Sequence, residues 1–319
     1  MPSEFDLIRR HFTRPTGHTD LAVGDDAALL RPRAGMQLAV STDMLVSGTH
    51  FFPDTAPDDL GWKTLAVNLS DLAAMGAAPR WAFLALALPA ADDAWIAAFA
   101  RGLFACADAF GVDLAGGDTT RGPLNLSVTI IGELPAGQAI TRAGARSGDE
   151  LWISGQPGLA ALGLAALRGK VALDAAGHAR CVRALQRPQP RVELGLQLRG
   201  VATAMLDVSD GLLGDLAHIL EASAVGAIVD AAALPLDALR ATGADAALAR
   251  CCLLSGGDDY ELLFTAAAGA RPVLAELSAR LGLPLHRIGQ ITGQAGVCLL
   301  HEPDGTLAPA AASGYDHFA

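Results

Sequence analysis

The 319 residues contain no Cys-x-x-Cys pair, and the five cysteines (Cys106, Cys181, Cys251, Cys252, Cys298) are scattered. That spacing signals neither a zinc site nor a disulfide framework and fits reduced thiols of a cytoplasmic protein. No Walker A loop, G-x-S-x-G or H-E-x-x-H is present. G-x-G-x-x-G is missing too, so P-loop and Rossmann readings lose their usual support. Basic residues are outnumbered: 23 Lys and Arg against 34 Asp and Glu leave a formal charge of -11. A nucleic-acid or anionic-membrane partner is disfavoured on that balance, although metal ions or local arginines would still let an acidic chain hold phosphate. Long apolar runs are also lacking. The longest uncharged stretch, Leu151 to Leu167, is broken by Gly155, Pro157, Gly158 and Gly163, and falls short of the ~20 apolar residues that span a bilayer. Glu4, Asp6, Arg9 and Arg10 interrupt the first ten residues, so no signal peptide is expected.

What is present is enough apolar material, 51% of residues, for a sizeable core. The length favours two domains over one. The Gly-, Ala- and turn-rich stretch Pro135–Asp149 is the expected junction, with domains of residues 1–137 and 138–319.

Trp62 to Gly76, WKTLAVNLSDLAAMG, anchors the reading. Leu65, Leu69 and Leu72 recur at helical spacing and Gly76 stands as a C-cap, which predicts an amphipathic helix. Asp58 and Asp59 sit just upstream, where the helix dipole favours acids. Asp71 lies within this apolar helix; a buried lone carboxylate costs several kcal/mol unless something compensates it, and a solvent-facing one needs no explanation.

Glu4–Phe12 reads as a short helix, and VGDDAALL (Val23–Leu30) as a turn bearing Asp25 and Asp26. Gln37–Asp43 reads as a strand ending in Ser41, Thr42 and Asp43, at the end where open sheets place ligand groups. His50 follows in SGTHF, and Trp81–Leu88 is a continuous apolar strand. Asp92–Phe110 has an acidic first turn, helical periodicity and Gly111 at its end. LAGGDTTRG (Leu114–Gly122) reads as a turn: Gly116 and Gly117 permit close backbone approach to an anion and Asp118 is available to a metal. Asn125–Leu134 alternates like a half-buried strand. Arg142 in AITRAGA is either a solvated linker residue or a bidentate phosphate clamp.

The second half alternates strand and helix. Glu150–Gly155, helical Gly158–Arg168, and the stiff turn RPQPR (Arg187–Arg191) into another helix come first. Met205–Leu220 then runs from a strand end through Asp207, Ser209 and Asp210 into a helix whose N-terminus suits an anion or a metal-bound phosphate. AIVD, LLSGGDDYELLFT (Leu253–Thr265, with a strand over Tyr260–Phe264) and IGQIT complete the pattern. Singly, each Asp-bearing turn is ordinary turn chemistry. Together Asp26, Asp43, Asp71, Asp118, Asp207 and Asp210 predict, if they converge, several divalent cations held by oxygen ligands, which favours magnesium. Magnesium, glycine turns and an arginine point to a nucleoside triphosphate.

GDDAALL, STDMLVSGTHF, KTLAVNLSDLAAMGA, LAGGDTTRGP, AITRAGA, DVSDGL, SGGDDYEL and the closing GYDHF occur in the order in which the thiamine-phosphate kinase family carries them. The chain resembles that family over essentially its whole length. The resemblance implies an α/β (α+β) protein of the two-domain aminoimidazole ribonucleotide synthetase-like fold. Its N-terminal domain, an α/β domain that binds ATP and magnesium, would pair its sheet across a homodimer. Its C-terminal α/β sandwich would complete the active site. It also implies ATP-dependent phosphorylation of thiamine monophosphate to thiamine diphosphate. Carried over by position, Asp26, Ser41, Thr42, Asp43, Asp71, Asp118, Asp207 and Asp210 resemble magnesium ligands. Gly117, Asp118, Arg142 and Ser209 resemble ATP contacts, and His50, Asp258 and Tyr315 contacts to thiamine phosphate. Where the family pattern reads SGGED, this chain has Asp258, one methylene shorter.

Other ATP-dependent enzymes of the superfamily are the nearest rivals. No cysteine precedes Cys106, so a selenophosphate synthetase's N-terminal nucleophile is missing, and the chain ends in His317-Phe318-Ala319 rather than the cysteine tail of the hydrogenase maturation protein. A non-catalytic nucleotide or cation sensor would not need His50 and Tyr315.

Overall fold

Side-chain capping sets the first helix. Ser3 accepts from the Asp6 amide while Asp6 accepts from the Ser3 amide, a capping box at the head of α1 (Glu4–His11). The computed structural model describes residues 3–310 and divides into two units. One comprises the residues up to Leu72 with Ala77–Ala139; the other comprises Ala73–Gly76 with Ile140 onward.

In the first unit the short ribbon β1 (Thr19–Leu21) and β2 (Leu29–Leu30) precedes β3 (Met36–Val46) and α2 (Pro57–Ala74). β4 (Ala78–Leu88), α3 (Asp93–Phe110), β5 (Asp113–Arg121) and β6 (Asn125–Pro135) follow. Asp92 caps α3 by accepting the Ala94 and Trp95 amides, and Gly111, with φ 65°, ends it in the left-handed conformation that glycine adopts without penalty. The sheet order is β3-β6-β4-β5, with β3/β6 and β6/β4 antiparallel and β4/β5 parallel. Period-2 alternation buries Leu84, Leu86, Leu126, Val128 and Ile130. On β3 the same alternation leaves Leu38, Val40 and Met44 in solvent, Val40 to 61%.

Two expectations change here. α2 begins at Pro57, so Asp58 and Asp59 occupy its first turn instead of preceding it. It is also not amphipathic: Lys63, Thr64, Asn68 and Ser70 are buried along with Leu65, Leu69 and Leu72. Thr64 and Asn68 tolerate this by bonding the carbonyls four residues back, Leu60 at 2.7 Å and Thr64 at 3.0 Å. The GGD segment, in turn, is strand and not turn, because β5 runs through it with a bulge opposite Ala82/Phe83. Gly117, at φ 151°, is required by its neighbour strand: a Cβ there would stand 1.9 Å from the Leu84 carbonyl oxygen.

The second unit contains β7 (Glu150–Ser154), α4 (Leu159–Leu167), α5 (Ala175–Gln186), α6 (Val192–Gln197), β8 (Ala202–Asp207), α7 (Leu212–Ser223) and β9 (Gly226–Asp230). Then come α8 (Asp237–Arg240), α9 (Ala246–Ser255), β10 (Leu262–Ala266), α10 (Arg271–Leu281), β11 (Leu285–Thr292), β12 (Cys298–His301) and β13 (Leu307–Pro309). Seven strands form one sheet in the order β13-β12-β9-β11-β7-β10-β8, antiparallel except for β12/β9. Leu151, Ile153, Leu206 and Leu263 from its strands pack with Leu212, Leu216 and Leu253 from α7 and α9 in one apolar core. The strand expected over Tyr260–Phe264 begins only at Leu262, and Leu253–Ser255 close α9.

Among the described residues no helix is long and apolar enough to cross a membrane. No disulfide is formed there, and burial pushes the Cys181, Cys252 and Cys298 thiols up to about 11, away from the reactive thiolate range.

Candidate active site

Alternation along β3 decides which site residues can meet. Ser41 and Asp43 project to one face and Thr42 to the other. On the first face Ser41 Oγ donates to Asp71 Oδ2 at 2.5 Å, joining β3 to α2. Asp43 is held beside them through its backbone: its amide donates to Asn68 Oδ1 at 3.1 Å, and its carbonyl accepts from Ser127 Oγ at 3.0 Å. The Asn68 amide orientation follows from its Nδ2 donating to Thr64. Thr42, on the opposite face, shares a hydrogen with Thr129 Oγ1 at 2.8 Å.

Asp26 is exposed in the connection between β1 and β2, its amide turned onto Asp25 Oδ1 at 2.8 Å. His50 sits in a tight turn after β3. The Val46 amide donates to its Nδ1 at 3.0 Å and the His50 amide donates to the Val46 carbonyl. With Nδ1 accepting, the neutral ring carries its proton on Nε2. Asp118 is exposed on β5, one residue past Gly117.

In the second unit Arg142 is exposed on the segment before β7, with its carbonyl accepting from Ser223 Oγ. Asp207 ends β8, and Ser209 and Asp210 form the turn into α7. Asp258 stands at φ 66° in the loop before β10; its amide donates to the Ser209 carbonyl at 2.8 Å, and its carboxylate accepts from the Tyr260 hydroxyl at 3.0 Å. Tyr315 lies outside the described residues. Among the described residues no three His, Cys, Asp or Glu side chains stand together as ligands of one metal. What the fold does assemble is Ser41 with Asp71, and the Ser209 turn with the Asp258 loop.

Sequence reading missed the carboxylates that hold these loops in place. Asp215, on α7, accepts three amides of the 209–211 turn, and burial pushes it up to about 6. Asp259 accepts the Gly158 amide at 2.7 Å at the start of α4, and its desolvation raises it well above the usual carboxylate range. Glu261 binds Arg191 through two bonds of 2.6 Å each and also accepts from Ser154 Oγ. The available signal was density alone: four acids fall within Asp258–Glu261 and the stretch just after DVSDG.

A separate cavity of about 340 Å³ in the first unit is lined by His18, Arg31, Arg33, Arg80, Trp81 and Glu133 among others, and includes none of the residues above. Burial alone would raise Glu133, but the Arg33 amide and the Arg33 and Arg80 guanidinium groups hold its carboxyl below its ordinary value. Arg31 is likewise committed to Asp20.

Oxygen-only donors such as Ser41, Asp43 and Asp71 suit a hard divalent cation and not a thiolate-loving one. On this observation the donor chemistry fits magnesium.

Two family profiles match in tandem: "AIR synthase related protein, N-terminal domain" over residues 24–134 and "AIR synthase related protein, C-terminal domain" over residues 146–300. The chain is 44% identical to the curated thiamine-monophosphate kinase of Escherichia coli K12 across 99% of its own length and 98% of that protein. The crystal structure of thiamine-monophosphate kinase from Stenotrophomonas maltophilia K279a superposes with a TM-score of 0.84 at 52% identity, covering 91% of this chain and 92% of that one. A further solved structure, AaThiL complexed with AMPPCP and TMP, matches with a TM-score of 0.77 at 28% identity over 93% of this chain and 92% of its own. With two AIR synthase related domains in order and near-full-length identity to curated kinases, the chain belongs to the thiamine-monophosphate kinase family.

Proposed function

We propose that the chain transfers the γ-phosphoryl group of ATP to thiamine monophosphate, giving thiamine diphosphate and ADP. The observation that carries this reading is end-to-end likeness to curated thiamine-monophosphate kinases, supported by a relative solved with AMPPCP and TMP. In the reaction a phosphate oxygen of thiamine monophosphate forms a new P–O bond to Pγ as the bond from Pγ to the bridging oxygen of ADP breaks. The acceptor oxygen is already anionic, so no strong general base is needed. The barrier lies in bringing polyanions together and in aligning them, and alignment contributes up to ~7–11 kcal/mol in well-oriented systems.

Magnesium, when bound, would supply the positive charge that neutralises the phosphates. In this reading Asp26, Ser41, Asp43, Asp71, Asp118, Asp207 and Asp210 would hold the ions, whereas the Thr42 side chain, turned to the other face of β3 beside Thr129, drops out of the expected ligand set. The hydrogen bond from Ser41 keeps the Asp71 carboxylate in one orientation, and Asn68 fixes the backbone beneath Asp43. Gly117, Asp118, Arg142 and Ser209 serve ATP, with Arg142 as the phosphate clamp. His50 contacts thiamine monophosphate, and Asp258 offers a carboxylate to the aminopyrimidine or the cationic thiazolium. Tyr315 belongs to the same substrate side. Residues 1–137 then form the ATP- and magnesium-binding and dimerisation domain, residues 138–319 complete the machinery, and the compartment is the cytoplasm.

The test is ATP turnover with thiamine monophosphate present or omitted, with products resolved by phosphorus NMR. ADP and thiamine diphosphate should form in equal amounts only when both substrates and magnesium are present. ATP hydrolysis indifferent to thiamine monophosphate would point to another enzyme of the fold, and tight ATP binding without turnover to a sensor.

The homodimer belongs to this proposal too. Leu38, Val40 and Met44 alternate on β3 as an exposed apolar strip, the kind of surface that marks an interface. The wild-type chain should sediment as a dimer of 32.7 kDa subunits, and Val40→Glu as a folded monomer, since an unpaired charge opposes reburial of that strip. A stable wild-type monomer at micromolar concentration would refute the assembly.

A further inference from the structure

Asp215 has no part in the roles above, yet its surroundings are unusually specific. It lies in the first turn of α7, is 4% exposed, and its Oδ2 accepts the amides of Ser209, Asp210 and Gly211, each at 3.1 Å. Three successive N–H groups aimed at one oxygen fix the orientation of the whole turn between β8 and α7, because each amide plane is tied at its own end. The other side of that turn is clasped by the Asp258 loop. The Asp258 amide donates to the Ser209 carbonyl and the Tyr260 amide to the Val208 carbonyl, while Val208 donates to the Glu261 carbonyl, all at 2.8 Å. The contact admits no side chain at its closest point: a Cβ on Gly257 would stand 2.2 Å from the Ser209 carbonyl oxygen. Asp258 and Tyr260 hold φ of 66° and 52°, conformations that non-glycine residues keep only where the surroundings over-determine them.

We propose that Asp215 is a positioning residue that sets the Ser209–Gly211 turn and, through its shared backbone hydrogen bonds, the Asp258–Tyr260 loop, so that metal-side and substrate-side loops behave as one body. This deepens the kinase reading and rests on it for the names of the two sides. Asp215 bonds only the backbone of the turn; the Asp258 loop receives its position second-hand.

Amide hydrogen exchange and calorimetric binding of thiamine monophosphate, with ATP and magnesium omitted, test the coupling on the full chain. In Asp215→Ala, exchange at Ser209, Asp210 and Gly211 should accelerate at least tenfold, and so should exchange at Asp258 and Tyr260. The dissociation constant for thiamine monophosphate should rise about tenfold. Asp215→Asn keeps an oxygen able to accept the same N–H groups, and should lie between Ala and wild type in both measurements. If Asp215→Ala does not fold, the Asn variant carries the test, with a smaller but parallel acceleration in both loops. Asp174→Ala, which removes the N-cap of α5, is the control for loss of a helix cap without these contacts. Faster exchange confined to 209–211 with unchanged affinity overturns the coupling. Asp215→Ala indistinguishable from Asp174→Ala at both loops overturns the positioning role altogether. Failure of the wild-type chain to bind thiamine monophosphate would instead sink the kinase reading, while the ligand-free exchange data still judge Asp215.

Discussion

Asp71→Asn is expected to leave the fold intact and remove nearly all phosphoryl transfer. Asp71 is half-buried on α2, a helix whose neighbouring positions Leu69, Ser70 and Leu72 are almost wholly inside. Ser41 Oγ donates to its Oδ2 at 2.5 Å. The Asn side-chain oxygen can still accept that hydrogen at nearly constant volume, so packing and strand contact survive. What is lost is the negative charge. In the proposed mechanism that charge is a direct ligand for magnesium, and losing such a ligand should cost about 3 kcal/mol or more of transition-state stabilisation, roughly a hundredfold or greater in rate. The measurement is kcat at saturating ATP across a magnesium titration, beside a thermal melt. A folded Asp71→Asn with full activity would remove Asp71 from the metal ligands.

Local rules carried the sequence reading furthest where chemistry is local. α3 was readable because Asp92 and Gly111 mark its ends, and β6 because its alternation matches a half-buried sheet. α2 departs from its amphipathic pattern because that pattern assumes a polar face in water. Here Thr64 and Asn68 satisfy themselves within the helix and go inside. The GGD segment departs for the opposite reason: two glycines usually signal a turn, but here they let the strand press against Phe83 and Leu84 of its neighbour. That approach is a tertiary fact. For the candidate site, the order of the motifs singles out candidate acids, but periodicity cannot tell which of Ser41, Thr42 and Asp43 face Asp71 until the strand's register is known. Nor could it separate Asp258, on the loop surface facing the 209 turn, from Asp259 and Glu261, whose carboxylates serve Gly158 and Arg191.

Arg191→Met is the substitution from which the largest loss of stability is expected. Glu261 is buried and receives two guanidinium bonds from Arg191 at 2.6 Å, with Ser154 Oγ at 2.5 Å and the Gln156 amide at 3.1 Å. The pair ties the head of α6 to the residues just before β10. Attraction between the two charges outweighs the desolvation of Arg191, since the guanidinium is held above its ordinary pKa. Removing the cation leaves a buried carboxylate with only neutral donors, and breaking a buried pair from one side costs about 3–5 kcal/mol. In a domain of this size that corresponds to a fall in Tm on the order of 10 °C. A cooperative loss should follow near Asp258, because Glu261 also accepts Val208 through its carbonyl. Replacing both partners separates the charge effect from packing. Arg191→Met combined with Glu261→Leu removes the stranded carboxylate, and should recover much of the loss seen in Arg191→Met alone, giving a coupling of about 2 kcal/mol or more. Denaturant unfolding of the wild type, both single variants and the double variant closes the cycle. Additive losses in the double variant would mean that the pair stabilises through volume and hydrogen bonding to Ser154 and not through its charges.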